Sequence, residues 1–522
     1  MSTAHLGAGP PKVALARPGN SIAALSMAAR RVLGHAWTPS PRGFALVAGG
    51  TGMATGAWIA LSRGSSLLAL APVAAALAAG IIICSRQAAA YLMLASLPFA
   101  EVSVGAGVSL VRYVLVGTLV AWFVGVSVYE SPAWLKPDRT DAKVFLWLLA
   151  LTTSAVVFDS QAASGLVTTY LNLALVYYVA SRTIRDARQA RGAVLALTVG
   201  LGSAALLALA WPSLAGSFVA AGGVQRLGPL GVSGAYGIDR FAGWLAVGSV
   251  LPWAALDGPR RPMTLVARGL SVVSLIALVA TVSKAGLIGL AAGVLGWSLL
   301  STRRCRVLRV TTTVAALGVG WLLLPAGVHT RFAQFQQPGS VANSRFAVWE
   351  AGLRMFLAHP ITGVGVGNFD LFAPAYFPQG TIYTQAVAAH NIVVGAFAET
   401  GIIGAGLMLL MVGTILLEGI RLVRADRREC LAAEIPRLRA IAAPDGDYAR
   451  LTTGLLVSFI MFLTVALSLD LERDRYFLVL AGMVHGLYRG RSRAAALCRL
   501  PAPESRRLHR GAGFHGRGAV FY

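Results

Sequence analysis

Residues 265–301 read LVARGLSVVSLIALVATVSKAGLIGLAAGVLGWSLLS, two apolar runs joined at Val282-Ser283-Lys284. A bilayer core about 30 Å thick takes roughly 20 apolar residues of helix, and each half approaches that length. The stretch therefore reads as a transmembrane helical hairpin with a very tight turn. Further runs of this kind lie near 44–62, 67–84, 88–104, 107–127, 143–159, 163–182, 192–212, 239–256, 308–326, 391–417, 451–470 and 474–488. The fold class expected is an all-α, polytopic integral membrane protein with about 12–14 transmembrane helices. Composition agrees: 56% of the residues are hydrophobic and 13% charged, where soluble domains carry roughly 25% charge. An ordinary soluble chain, disorder, a coiled coil and a nucleic-acid-binding protein are thereby excluded, despite a net charge of +24.

That charge has a pattern. Segments 1–43, 85–87, 128–143, 182–191, 257–268, 301–309, 418–450 and 489–522 alternate to one side of the membrane and hold 35 of the 45 Lys and Arg residues. Cytoplasmic loops carry the excess of basic residues, so both termini are expected to be cytoplasmic and the intervening loops periplasmic. The domain layout follows. Residues 1–43 form a basic cytoplasmic tail without a cleavable signal sequence, and 44–326 hold transmembrane helices with a glycine-rich outer loop at 213–238. A long periplasmic loop occupies 327–390. Residues 391–488 are the last transmembrane helices, with a cytoplasmic loop at 418–450, and 489–522 are a second basic tail. That tail reads equally as a segment lying on anionic headgroups and as a solvated one. Cys84, Cys305, Cys430 and Cys498 have no CxxC or HxxxH neighbours. They offer neither a zinc site nor a disulfide framework.

The loop 327–390 is neither low-complexity nor charge-rich, so it is expected to be folded. Within it, Ser344–Phe356 reads as an amphipathic helix, with Phe346, Trp349, Leu353 and Phe356 on an interfacial face, Ser344 as its cap and Pro360 as its stop. Arg345 then falls in the first turn, where a helix N-terminus and a guanidinium together suit an anion. A guanidinium snorkelling to headgroups gives the same pattern. Gly363-Val-Gly365-Val-Gly367-Asn368-Phe369 has neither the third glycine nor the strand–helix setting of a dinucleotide loop. Tight backbone turning accounts for it. His390-Asn391 stands where the span 391–417 begins, with Glu399 and Gly401 about two turns on. An imidazole at a dielectric boundary suits a general base, although a lone interfacial histidine is more often structural. Lys284, in Thr281-Val-Ser283-Lys284-Ala-Gly286, and Arg226, in the other outer loop, are ionisable groups near membrane depth and so candidate functional residues. Asp239 and Arg240 read as neighbours in one structural ion-pair network.

Taken together, Arg345, Trp349, His359-Pro360, Gly363 to Phe369, His390-Asn391 and Glu399-Thr-Gly401-Ile-Ile-Gly404 resemble the core of the bacterial O-antigen ligase/polymerase family. Thr281–Gly286 is similar to that family's T-x-S-R-G turn, with Lys284 in place of its usual arginine, and Arg226–Gly228 is similar to its R…G outer loop. The resemblance covers roughly 220–410. It implies a metal-free, cofactor-free, inverting glycosyltransferase at the periplasmic face of the bacterial inner membrane. The implied donor is a glycan on polyprenyl pyrophosphate. The acceptor is a sugar hydroxyl, on lipid A-core for a ligase or on another lipid-linked repeat for a polymerase of O-antigen or exopolysaccharide. Implied partners are membrane lipids, a polysaccharide flippase and export proteins, and no nucleic acid. His390 and Arg345 take catalytic roles, and Arg226 and Lys284 bind pyrophosphate. Asn391, Glu399, Gly363, Gly365 and Gly367 give structural support. No outward Asp/Glu pair stands at metal-binding spacing, so no metal site is expected. The competing class is a polysaccharide or lipid transporter, which should carry its charges at the midplane on broken helices, whereas these project to the outer edge.

Overall fold

The computed structural model describes residues 86–99, 117–118, 136–158, 163–210, 218–221, 224–230, 237–256, 262–300, 306–333, 341–378, 388–433, 446–469 and 474–498. The expected spans 44–62 and 67–84, nearly all of 107–127 and the tail 1–43 lie outside the described residues, as do 499–522 and the centre of the loop 418–450.

Helices dominate. In chain order they are α1 (Arg86–Ser96), α2 (Arg139–Val157), α3 (Ala163–Thr183), α4 (Ala187–Ala210), α5 (Ile238–Ala255), α6 (Pro262–Ala280) and α7 (Lys284–Leu300). There follow α8 (Arg306–Leu322), α9 (Ala326–Ala333), α10 (Val341–Ala358), α11 (Phe369–Tyr376), α12 (Ile392–Ala433), α13 (Gly446–Ala466) and α14 (Arg475–Cys498). Among the described residues, α2, α3, α4, α6, α12 and α13 are long and apolar enough to cross a membrane, and α1, α7 and α8 are shorter apolar helices. The protein is an all-α polytopic membrane protein. The described residues also include a two-stranded antiparallel hairpin, β1 (Phe218–Ala221) with β2 (Val224–Leu227), which pairs Val219 with Arg226.

The core forms around α5, whose side chains are buried almost throughout and which packs against α4, α6, α7 and α13. The outer surfaces of the bundle carry exposed Leu149, Leu171, Ile276, Leu409 and Leu417, as expected where hydrocarbon replaces water. Helix α7 buries only small residues, Ala285, Gly286, Gly289, Gly293 and Ser298. Small residues let backbones approach closely, and packing rather than hydrophobicity holds helices together in lipid. A β-carbon on Gly289 would stand 2.5 Å from Val465 of α13.

The described residues of 327–390 are folded. Helices α10 and α11 enclose a small core of Val348, Met355, Val364, Phe369, Ala373, Ala389 and Ala398. Three boundaries differ from the sequence reading. Helix α10 starts at Val341, so Ser344 lies inside it, and Arg345 sits a turn deeper than an N-terminal anion site requires. Its buried face is Val348, Ala351 and Met355, while Phe346 and Leu353 are exposed. Helix α12 runs on to Ala433 and is interrupted at Gly401 (φ 59°, ψ −159°). Helix α14 runs through the first ten residues of the basic tail to Cys498.

Candidate functional site

Four of the residues singled out by sequence belong to segments that the fold gathers at one end of the bundle. Arg226, on β2, is 4% exposed. Its Nε donates to the carbonyl of Thr281 at 2.8 Å, a carbonyl left over at the end of α6. Its Nη2 donates to Asp239 Oδ1 at 2.6 Å. Asp239 lies in the first turn of α5, where the helix dipole favours a carboxylate. It also accepts a hydrogen bond from Ser283 and feels the charge of Arg345. Ser283 caps α7, its hydroxyl accepting from the amide of Gly286 at 3.3 Å. Lys284 is the next residue, its Nζ 6.0 Å from the centre of the Phe332 ring.

His390 completes the group. Asn391 caps α12, its Oδ1 accepting from the amides of Val393 (2.9 Å) and Val394 (3.2 Å). Trp349 of α10 donates its indole N–H to the carbonyl of Ala389 at 3.0 Å, which pins the chain just before the histidine. Arg345 lies one turn before Trp349 and so on the same face of α10. Burial holds the His390 imidazole below its ordinary proton affinity and Arg345 lowers it further, while Asp239 acts in the opposite direction. The N-termini of α5, α7 and α12, each with a positive dipole end, belong to these same segments.

Backbone strain is concentrated here too. Among the described residues, the non-glycine positions with positive φ are Val282 (49°) and His390 (51°). A β-branched residue in that region is a true outlier, and such strain of order 1–3 kcal/mol persists only where the surroundings impose it.

Behind the histidine, the glycine loop meets the break in α12. The amides of Val364 and Gly365 donate to the carbonyls of Ala398 (3.0 Å) and Glu399 (2.9 Å), and those of Ile402 and Ile403 donate to Pro360 (2.9 Å) and Ile361 (3.4 Å). The loop thus supplies partners for the backbone groups that the break frees, which lipid could not do. The approach leaves no room for a side chain. A β-carbon on Gly363 would strike the backbone of Glu399, and one on Gly401 the backbone of Ile361. The Glu399 carboxylate accepts from the amide of Phe369 at 3.2 Å, at the start of α11. Asn368 Nδ2 ties the loop to the carbonyls of Val364 (3.2 Å) and Phe158 (3.4 Å). Gly367 has φ 83°.

Asp239 and Arg240, read from sequence as one ion-pair network, face different partners. Arg240 turns to Asp474, Nε to Oδ2 at 3.6 Å, and Trp244 donates to the same oxygen at 3.0 Å. Asp239 instead joins the Arg226–Ser283 group. Its position in the first turn of a buried helix, thirteen residues after Arg226, is the sequence signal that marks it.

A second ionic cluster gathers around His485, about three turns along α14 from Asp474. Asp141 pairs with Arg182 at 2.5 Å, and His485 bridges Glu418 (2.9 Å) and Asp138 (3.1 Å). Thr140 donates to Glu418 at 2.7 Å. The groups tie α2, α3, α12 and α14 together. Burial acts to raise the proton affinity of Asp138, but His485 and two backbone amides outweigh it and hold the carboxyl below the usual range. Asp138, Asp141 and His485 are close enough to share a cation. Arg182 already occupies Asp141, however, and Arg489 stands 3.9 Å from Asp138, so the cluster balances its own charge.

Fold and site define a multi-pass α-helical membrane protein whose candidate centre combines an imidazole with guanidinium and ammonium groups. Residues 269–409 match the family model described as O-antigen ligase, and no curated protein matches the chain. The matched segment, a little over a quarter of the chain, carries Lys284, Arg345 and His390 and is similar to an O-antigen ligase domain. Arg226 and Asp239 precede it.

Proposed function

We propose that the protein is an O-antigen ligase-type inverting glycosyltransferase, which moves a glycan from polyprenyl pyrophosphate to a sugar hydroxyl of lipid A-core at the periplasmic face. The observation that carries the reading is a partly buried imidazole, its proton affinity lowered by burial and by Arg345, beside the Arg226–Asp239–Ser283 group, all within or next to the family-matched segment. His390 accepts the proton of the acceptor hydroxyl, and the hydroxyl oxygen attacks the anomeric carbon from the face opposite the leaving group. The bond from that carbon to the phosphate oxygen breaks, and polyprenyl pyrophosphate departs with the electron pair. Arg345, Arg226 and Lys284 neutralise it. Guanidinium matches phosphate oxygens in a fork, and preorganised cations of this kind stabilise developing charge without a metal. Glu399, Asn391 and the three loop glycines hold the frame. The bias of basic residues supports placing this end in the periplasm, with the Asp141–Arg182 cluster on the cytoplasmic side.

The purified protein, given a synthetic polyprenyl-pyrophosphate oligosaccharide and a lipid A-core acceptor, is expected to form the glycosylated acceptor in the presence of a chelator. Transfer that stops with chelator and returns with Mg²⁺ contradicts the metal-independent mechanism. Elongation of a second lipid-linked repeat, with lipid A-core left unused, makes the enzyme a polymerase.

A further inference from the structure

We propose that Asp239 is a positioning residue of the transfer reaction, the counter-charge that balances Arg226 while the pyrophosphate site is empty and opposes Arg345 at His390; this rests on the glycosyltransferase reading above. The geometry puts Asp239 at the junction of the site's parts. It takes the Arg226 guanidinium at 2.6 Å, and it takes the hydroxyl of Ser283, the residue that caps α7 and precedes Lys284. A half-buried carboxylate among cations restrains their mutual repulsion while the site is empty, and an incoming pyrophosphate takes over that function.

The consequence for chemistry lies in His390. The charges acting on it are Arg345 from α10 and Asp239 from α5, with Arg226 on β2 and Lys284 at the start of α7 flanking Asp239. Burial and Arg345 both weaken the imidazole as a base. Asp239 opposes them and keeps it closer to the pH at which a general base works best. Neutralising Asp239 therefore has two opposite effects. It leaves a more positive site, which does not lose attraction for a pyrophosphate, and it leaves a weaker base. A residue that merely braced the fold would lower donor binding and turnover together.

The test uses the full-length protein in nanodiscs, with a synthetic polyprenyl-pyrophosphate disaccharide as donor and rates measured from pH 5 to 9. In Asp239→Asn, kcat is expected to fall about 10- to 100-fold, the value of a hydrogen bond to a charged group, with KM for the donor not raised. The acid limb of the rate profile should move to lower pH, and inorganic pyrophosphate should inhibit at least as well as in the wild type. Asp239→Glu keeps the charge but displaces its donors, so its acid limb stays in place while kcat falls less. A raised KM with an unmoved acid limb in Asp239→Asn reduces Asp239 to an anchor and overturns the proposal, as do wild-type kinetics. If Asp239→Asn does not accumulate as folded protein, Asp239→Glu carries the test, and unchanged turnover in that variant overturns it. A wild type that transfers nothing defeats the glycosyltransferase reading instead, whatever the variants do.

Discussion

Replacing Gly401 with alanine puts a methyl group where the structure has none to spare. Gly401 holds φ 59° and ψ −159°, a region that is essentially glycine-only and costs other residues of order 1–3 kcal/mol. The added carbon also meets the carbonyl of Ile361, which is backbone and cannot rotate away. Overpacking of that kind adds about 1–3 kcal/mol, so the expected loss is about 2–6 kcal/mol. That is a large part of the 5–15 kcal/mol by which folded proteins are typically stable. Relief comes only by moving residues 360–365 away from α12, which breaks the four backbone bonds across the gap and loosens the segment before His390. Gly413 is the control. It lies in the same helix with nothing within 4 Å of a β-carbon, and alanine there is favoured by helix propensity by up to about 1 kcal/mol. The assay is thermal unfolding in detergent alongside transfer rate. Gly401→Ala should melt lower and transfer poorly, and Gly413→Ala should match or exceed the wild type in stability. Equal behaviour of the two variants refutes the docking of the glycine loop into the break.

Three further outcomes are expected. Trp349→Phe loses the bond to the Ala389 carbonyl, about 0.5–1.5 kcal/mol, and should slow transfer several-fold while the protein stays folded; an unchanged rate shows that this bond does not set His390. Arg345→Ala should weaken donor binding about 10- to 100-fold through loss of a charge-assisted contact, and Arg345→Lys should restore only part because the fork is missing; full recovery with lysine argues against bidentate binding. A tag near Gln379 should be reachable from outside the intact inner membrane and one near Glu434 should not; a protected first tag reverses the orientation.

The spans could be read because lipid demands long apolar helices, and the 282–284 turn because two such runs leave only three residues between them. The break at Gly401 could not. Thr400-Gly-Ile-Ile-Gly404 continues an apolar helical run, and only the glycine loop, over thirty residues upstream, supplies the backbone partners that make an interruption tolerable. Helix α10 starts three residues before Ser344, the capping residue that the sequence offers. The β1–β2 hairpin had a readable signal in Gly222-Gly223 between two short apolar segments, and a count of spans passed over it. Arg226, Lys284, Arg345 and His390 stood out as ionisable groups near membrane depth. Asp239 did not, because a carboxylate beside Arg240 looks like its neighbour's partner until the helix turns the two apart. Arg182 and Arg489 look like topogenic surface charge and prove to be buried against carboxylates.

In the proposed reaction His390 is the base and cations hold the leaving group. The most direct test measures transfer rate and donor affinity for His390→Ala and wild type in the same purified preparation, across pH. The wild-type rate should fall only as pH drops through a value below the ordinary histidine pKa of about 6.5, because burial and Arg345 favour the neutral ring. His390→Ala should bind donor nearly as the wild type does and transfer roughly 10²–10⁴-fold more slowly, the usual worth of a positioned general base, with the acid limb gone. Turnover near that of the wild type in His390→Ala would contradict the account, leaving the histidine as a strained structural residue at the head of α12.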